Sequence, residues 1–181
     1  MRRLLIAFGL LMSTDALADA KAGEEKAQLC LFCHNPGITH SAPLLDGQPL
    51  KYLVQAMTEY KTGKRINFVM QTNIASLSAR DIRDIADFFA SRAPVVGAFR
   101  TDPAKVATGK KRVAEGKCAS CHGPTFAGTD EVPRLAGQRP ASLRMTLRAF
   151  ATGQRAHPPI EMPFDKIGDV EDIADSFAAA K

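Results

Sequence analysis

The sequence predicts an all-α chain built as two tandem, related domains, and three observations carry that reading. Apolar residues recur at the 3.6-residue helical period in several stretches, and no strand-rich stretch lies between them. A repeat with an offset near 88 residues covers nearly the whole chain after its leader. Finally, Cys30-Leu31-Phe32-Cys33-His34 returns as Cys118-Ala119-Ser120-Cys121-His122, and the two stretches use all 4 cysteines.

Taken in order, Met1-Arg2-Arg3 is a short positive region, Leu4 to Met12 is apolar, and Ala16 and Ala18 suit cleavage. Residues 1–18 are therefore expected to be a cleaved signal peptide, with the boundary fixed to within about two residues. No later run reaches the ~18 to 20 apolar residues of a membrane span, so no transmembrane anchor is expected after cleavage. Residues 19–92 form the first domain, 93–102 the linker and 103–181 the second domain. A helix over Lys21 to Leu31 should deliver the first cysteine pair. Pro49 opens a second, whose Leu50, Leu53, Val54, Met57 and Tyr60 share a face and which stops at Thr62-Gly63. Ser78-Ala79-Arg80-Asp81 is a capping box for a third, with Ile82, Ile85, Ala86 and Phe89 inward. From Ser91 to Asp102 the helical period is lost around Pro94 and Gly97, and Pro103 sits at the first position of a new helix. The second domain repeats the plan with helices over Pro103 to Lys117, Pro140 to Thr152 and Asp169 to Ala180. The repeat also matches Pro43-Leu44-Leu45-Asp46-Gly47-Gln48 with Pro133-Arg134-Leu135-Ala136-Gly137-Gln138, and Thr62-Gly63-Lys64-Arg65 with Thr152-Gly153-Gln154-Arg155.

The cysteine spacing is dictated by what it has to hold. Sulfurs three residues apart on a helix lie about one turn from each other on one face, where both can form thioethers with the vinyl groups of one porphyrin. A histidine directly after the second cysteine is carried beneath the ring as the proximal ligand. Cys30, Cys33 and His34, with Cys118, Cys121 and His122, thus predict two covalently bound haem c groups. A single Cys₄ zinc site fits poorly, because 84 residues separate Cys33 from Cys118. A redox dithiol lacks its βαβ setting, and disulfides leave the two histidines unexplained. Each half has about 80 residues, a size at which a polypeptide core alone is marginal, and a covalently held apolar disc makes up the difference.

A low-spin carrier needs a second axial ligand, and a thioether raises the reduction potential by favouring ferrous iron. Met70 and Met162 lie just past the Thr-Gly-x-Arg block in corresponding places and are the expected ligands. Met57 and Met145 do not correspond and read as helix-packing residues. His157 is the rival of Met162 in the second half, while His40 reads as a surface histidine. The carbonyls of Pro43 and Pro133 are placed to accept the other ring N–H of each proximal histidine. Arg65 and Arg155 recur at one point of the repeat, where bidentate contact with haem propionates is open to them.

The formal charge of +5 is too mild for a nucleic-acid binder. The second half is the more basic, with Lys105, Lys110, Lys111, Arg112 and Lys117 gathered before its haem motif. Such a run is either a solvated helix face or a docking patch for an acidic redox partner.

The paired Cys-x-x-Cys-His, the paired Pro-x-Leu-x-Gly-Gln, Tyr52, the Thr-Gly-x-Arg before Met70, and Leu77-Ser78 with Asp81 resemble the cytochrome c4 family from about Lys21 to the C-terminus. The chain departs from that pattern at Ser142, where Tyr52 has its counterpart, at Ile167-Gly168 in place of the second Leu-Ser, and at Asn35, where glycine is usual. The resemblance implies two tandem class I cytochrome c domains and a periplasmic carrier of single electrons. Its expected partners are redox proteins: a quinol-oxidising complex, a terminal oxidase or a periplasmic dehydrogenase, with transient docking to membrane-bound complexes. A cytochrome subunit of a periplasmic oxidoreductase, for example a flavocytochrome c sulfide dehydrogenase, is the alternative. A dihaem peroxidase is disfavoured by a methionine candidate in each half.

Overall fold

The computed structural model describes residues 19–38, 41–95, 99–157 and 167–181. The leader, His40, Met162 and the centre of the linker lie outside them. The described residues are helical, with no strand among them.

In the first half, α1 (Ala20–Lys26) begins at Asp19, whose carboxylate accepts the Lys21 and Ala22 amides. It runs into α2 (Gln28–His34) through Ala27, where the helix loosens without stopping. Ala27 N–H still reaches the Gly23 carbonyl at 2.8 Å and Leu31 N–H the Ala27 carbonyl at 3.1 Å. The expected single helix is therefore present with a relaxed turn where Ala27 enters the core. Next come α3 (Leu50–Lys61), α4 (Phe68–Ile74) and α5 (Ala79–Ser91). The Ser78 capping box is formed at both of its bonds. Sequence periodicity left α4 undetected because it is a single short helix rich in β-branched residues. Its start is set by Asn67, whose side chain accepts the Met70 amide at 3.0 Å.

The second half has α6 (Pro103–Glu115), α7 (Ala119–His122), α8 (Pro140–Ala151) and α9 (Ile167–Ala179). The expected first helix ends two residues early, in a turn that carries Lys117 at φ 51°. The terminal helices of each half cross closely, α1 on α5 and α6 on α9, and α3 and α8 lean on these pairs. One core gathers Ala27, Leu53, Ile85, Ala86, Phe88 and Phe89. The other gathers Val113, Leu143, Leu147, Val170, Ile173 and Phe177 among its members.

Both crossings depend on a glycine. A Cβ at Gly23 would stand 2.0 Å from the Asp84 carbonyl oxygen, and one at Gly109 the same distance from that of Asp172. The helices meet backbone to backbone there.

Candidate haem sites

Helix α2 carries Cys30, Cys33 and His34; in the second half Cys118 caps α7, which carries Cys121 and His122. All four thiols are free; Cys30 and Cys118 are half-buried, Cys33 and Cys121 exposed. Burial pushes the Cys30 and Cys118 thiols up from their ordinary value.

Both histidines are buried. His34 Nδ1 lies 2.7 Å from the Pro43 carbonyl and His122 Nδ1 2.8 Å from that of Pro133. A carbonyl only accepts, so Nδ1 carries the proton and Nε2 keeps its lone pair. Burial, the largest cause, lowers the affinity of both rings for a second proton. The bonds to the carbonyls act in the other direction, and Arg139 adds to the lowering at His34 as His157 does at His122. Each site therefore offers a neutral imidazole held in one tautomer. The chain leaves the two helices differently: Asn35 is extended at φ −69°, which any residue adopts, whereas Gly123 sits at φ 80°. That is why asparagine serves in the first motif.

The turn after each motif is anchored from both sides. Gly47 and Gly137, at φ 69° and 66°, let the chain reverse so that their amides donate to the Phe89 and Phe177 carbonyls at 2.9 and 3.0 Å. The glutamine that follows reaches into the opposite half. Gln48 Nε2 donates to the Arg134 carbonyl and its Oε1 accepts the Arg134 amide, both at 3.0 Å. Gln138 does the same to Leu44, at 2.9 and 2.7 Å. Arg139, 3% exposed, extends its guanidinium to the carbonyls of Cys33, Asn35 and Ala42, closing the C-terminal end of α2. Sequence reasoning missed Gln48, Gln138 and Arg139 as site residues. The Gly-Gln repeat was visible, but an amide that bonds another half's backbone leaves no periodic trace.

Met70 is half-buried on α4, between exposed Phe68 and Val69 and the buried Ile74. Met57 packs on the first core. Met145, expected to pack, is 49% exposed, because α8 turns Leu143 and Leu147 to the core and leaves position 145 on the opposite side. Arg65 stacks on Tyr60 with its Cζ 4.5 Å from the ring centroid, and Arg155 on Phe150 at 4.8 Å. Arg155 is also bonded to the Tyr52 hydroxyl, and burial, followed by the nearby Arg65, lowers its proton affinity. The two repeat arginines therefore come together with Tyr52 and Tyr60 from the first half. His157 packs edge-on to Phe150 at 4.8 Å, with its centroid 6.2 Å from that of His122. Its Nδ1 is buried and has no hydrogen-bond partner among the described residues.

These residues fit a covalently attached haem in each half: two free thiols a turn apart, a buried imidazole with Nε2 available, and, beside His122, a buried polar nitrogen without a partner. The chain is 36% identical over 166 residues to a cytochrome c4 of Pseudomonas aeruginosa, covering 85% of this chain and 82% of that protein. The chain belongs to the cytochrome c4 family. Its structure superposes on crystalline cytochrome c4 from Pseudomonas stutzeri with a TM-score of 0.80 at 27% identity, over 91% of this chain and all of the other. A protein of Thiomonas intermedia described as a thiosulfate dehydrogenase electron acceptor is 29% identical, over 80% of this chain and 73% of its own. No family model matches. As a cytochrome c4, the chain is a class I electron-transfer cytochrome with two covalently attached haem c groups, and a carrier rather than an enzyme. No helix among the described residues is long and apolar enough to cross a membrane.

Proposed function

We propose that this cytochrome is a periplasmic carrier that takes up single electrons from a quinol-oxidising complex or dehydrogenase and passes them to another redox protein, such as a terminal oxidase. When bound, the haem irons supply the one-electron chemistry. Cys30 and Cys33 hold one haem and Cys118 and Cys121 the other. His34 and Met70 would ligate the iron of the first and His122 and Met162 that of the second, with Met162 outside the described residues. Pro43 and Pro133 orient the proximal rings, and Arg65 with Arg155 receives propionates in the half-buried cationic nest beside Tyr52 and Tyr60. The observation that carries the reading is the pair of buried histidines, each with Nδ1 committed to a proline carbonyl and Nε2 left to coordinate.

A second reading is favoured by the Thiomonas relative: an acceptor dedicated to a dehydrogenase of a small sulfur compound. Both readings require the same haem sites and differ only in the donor. Intact mass of the exported protein should exceed that of the mature polypeptide by two haems, and an increment of one or none refutes the proposal. Reduction by a purified sulfur-compound dehydrogenase much faster than by a quinol-oxidising complex would select the second reading.

A further inference from the structure

We infer that Gln48 and Gln138 are cross-domain positioning residues: each holds the peptide unit that orients the proximal histidine of the opposite half. The inference rests on the assignment of His34 and His122 as haem ligands. The Pro43 carbonyl that accepts from His34 Nδ1 at 2.7 Å belongs to the same peptide unit as the Leu44 N–H, and that N–H donates to Gln138 Oε1 at 2.7 Å. The Pro133 carbonyl that accepts from His122 Nδ1 at 2.8 Å shares its peptide unit with the Arg134 N–H, which donates to Gln48 Oε1 at 3.0 Å. Each chain of bonds thus runs from a proximal imidazole, through one peptide group, to an amide of the other half. The amide orientation is fixed, because Nε2 must face the Leu44 or Arg134 carbonyl and Oε1 the N–H.

The coupling is electronic as well as steric. Withdrawing the N–H proton toward an acceptor shifts electron density onto the carbonyl of the same peptide, and hydrogen bonds in series strengthen one another by roughly 10–30% in a low-dielectric interior. Both glutamines are buried, 5% and 7% exposed, so water cannot substitute cheaply for the lost oxygen. A stronger carbonyl makes the imidazole a more basic ligand and favours ferric iron. Removing Gln138 should therefore raise the potential of the haem on Cys30 and Cys33, and removing Gln48 that of the haem on Cys118 and Cys121. The effect crosses the domain boundary. A purely adhesive glutamine would loosen both halves alike and shift neither potential selectively.

The test uses the holoprotein and its Gln48→Leu and Gln138→Leu variants, with the ferrous-to-ferric ratio of each haem followed by NMR of its ring methyls during a redox titration. In Gln138→Leu the ratio at fixed potential should rise about three- to tenfold at the first haem, tenfold being ~59 mV for one electron, and hardly move at the second. Gln48→Leu should give the reverse pattern. A readout independent of haem is amide exchange: Leu44 should exchange about tenfold faster in Gln138→Leu, and Arg134 in Gln48→Leu. Gln138→Glu keeps the acceptor and serves if the leucine variant fails to fold; it should not raise the first potential. A shift confined to the mutated half, equal shifts at both haems, or no shift overturns the inference. Failure of the haem assignment would show differently, as a parent protein lacking covalent haem or one in which His34→Gly leaves the first haem's spectrum unchanged.

Discussion

Alanine at Gly109 pushes a methyl group into the backbone of the facing helix. Its Cβ would fall 2.0 Å from the Asp172 carbonyl oxygen and 2.8 Å from Ser176 Cβ, where carbon contacts normally settle at about 3.5–4.0 Å. The nearest obstruction is main chain, so no rotamer change relieves it, and α6 and α9 have to part by on the order of 1 Å. Overpacking of this kind costs about 1–3 kcal/mol, and an immovable neighbour puts Gly109→Ala at the upper end. Alanine's better helix propensity offsets about 1 kcal/mol of that. The net loss is about 2 kcal/mol, or roughly 8–16 °C in Tm for a domain of this size. Thermal and denaturant unfolding of the holoprotein by far-UV circular dichroism, with haem absorbance recorded in parallel, measures it. Gly23→Ala should lower the transition of the first half in the same way. A variant as stable as the parent, or more stable by the propensity gain alone, would refute the close-crossing argument.

Met70→Ala should remove the methionine-to-ferric-iron charge-transfer band of one haem, whereas Met57→Leu should keep it and cost under about 1.5 kcal/mol. The Asp84 carboxyl is held below its ordinary value, first by the hydrogen bond from Lys26 at 2.7 Å. Its contribution to stability is therefore complete above the unfolded value of about 3.9 and is lost as pH falls through the lower folded one. Asp84→Asn should flatten that acid limb in denaturant titrations across pH. Arg139→Ala leaves the carbonyls of Cys33 and Ala42 short of a donor, while that of Asn35 keeps the Ile38 amide at 3.1 Å. At about 1–3 kcal/mol for an unsatisfied group and less than additive for neighbours, the expected destabilisation is roughly 2–4 kcal/mol, measured by denaturant unfolding. In the basic cluster, Arg112 is bound to Glu115 at 3.1 Å and Asp169 at 3.0 Å, whereas Lys110 and Lys111 are exposed. Charge reversal at Lys110 and Lys111 should slow electron exchange with an acidic partner at low salt in stopped-flow kinetics and much less at high salt; an unchanged low-salt rate would make the run an ordinary solvated face.

The fold was legible where local chemistry decides it. Pro103 at a first helical turn, the Ser78 box and the 3.6 period of α3 act over a few residues, and the structure places those helices within a residue or two of the sequence expectation. The short α4 was not legible, since about two turns of mainly Phe, Val, Met and Thr are too short for a clear amphipathic period and depend on the Asn67 cap. The closeness of both terminal-helix crossings was hidden as well. A glycine inside a helical pattern reads as a weak point, and only the facing backbone shows that Gly23 and Gly109 are where the helices touch. The paired Cys-x-x-Cys-His, by contrast, declares its chemistry by spacing, because covalent geometry leaves few other uses for it.

The repeat hides an inequality that follows from the residue after each glutamine. Gln48 is followed by Pro49 and Gln138 by Arg139, and both open the next helix in the same register. Proline has no side chain able to cross the boundary, while the Arg139 guanidinium reaches the end of α2 and adds to the lowered proton affinity of His34. The symmetric glutamine pairs tie the halves together, whereas the groups beside the proximal rings differ: Arg139 bears on His34, and His157 bears on His122. A positive charge near a proximal ligand disfavours the ferric state, and the guanidinium keeps its charge at a pH where an imidazole does not. Two domains built on one plan thus carry different groups beside their proximal histidines, a guanidinium at the first and an imidazole at the second, and a difference in potential between two haems is what would give an internal electron transfer its direction.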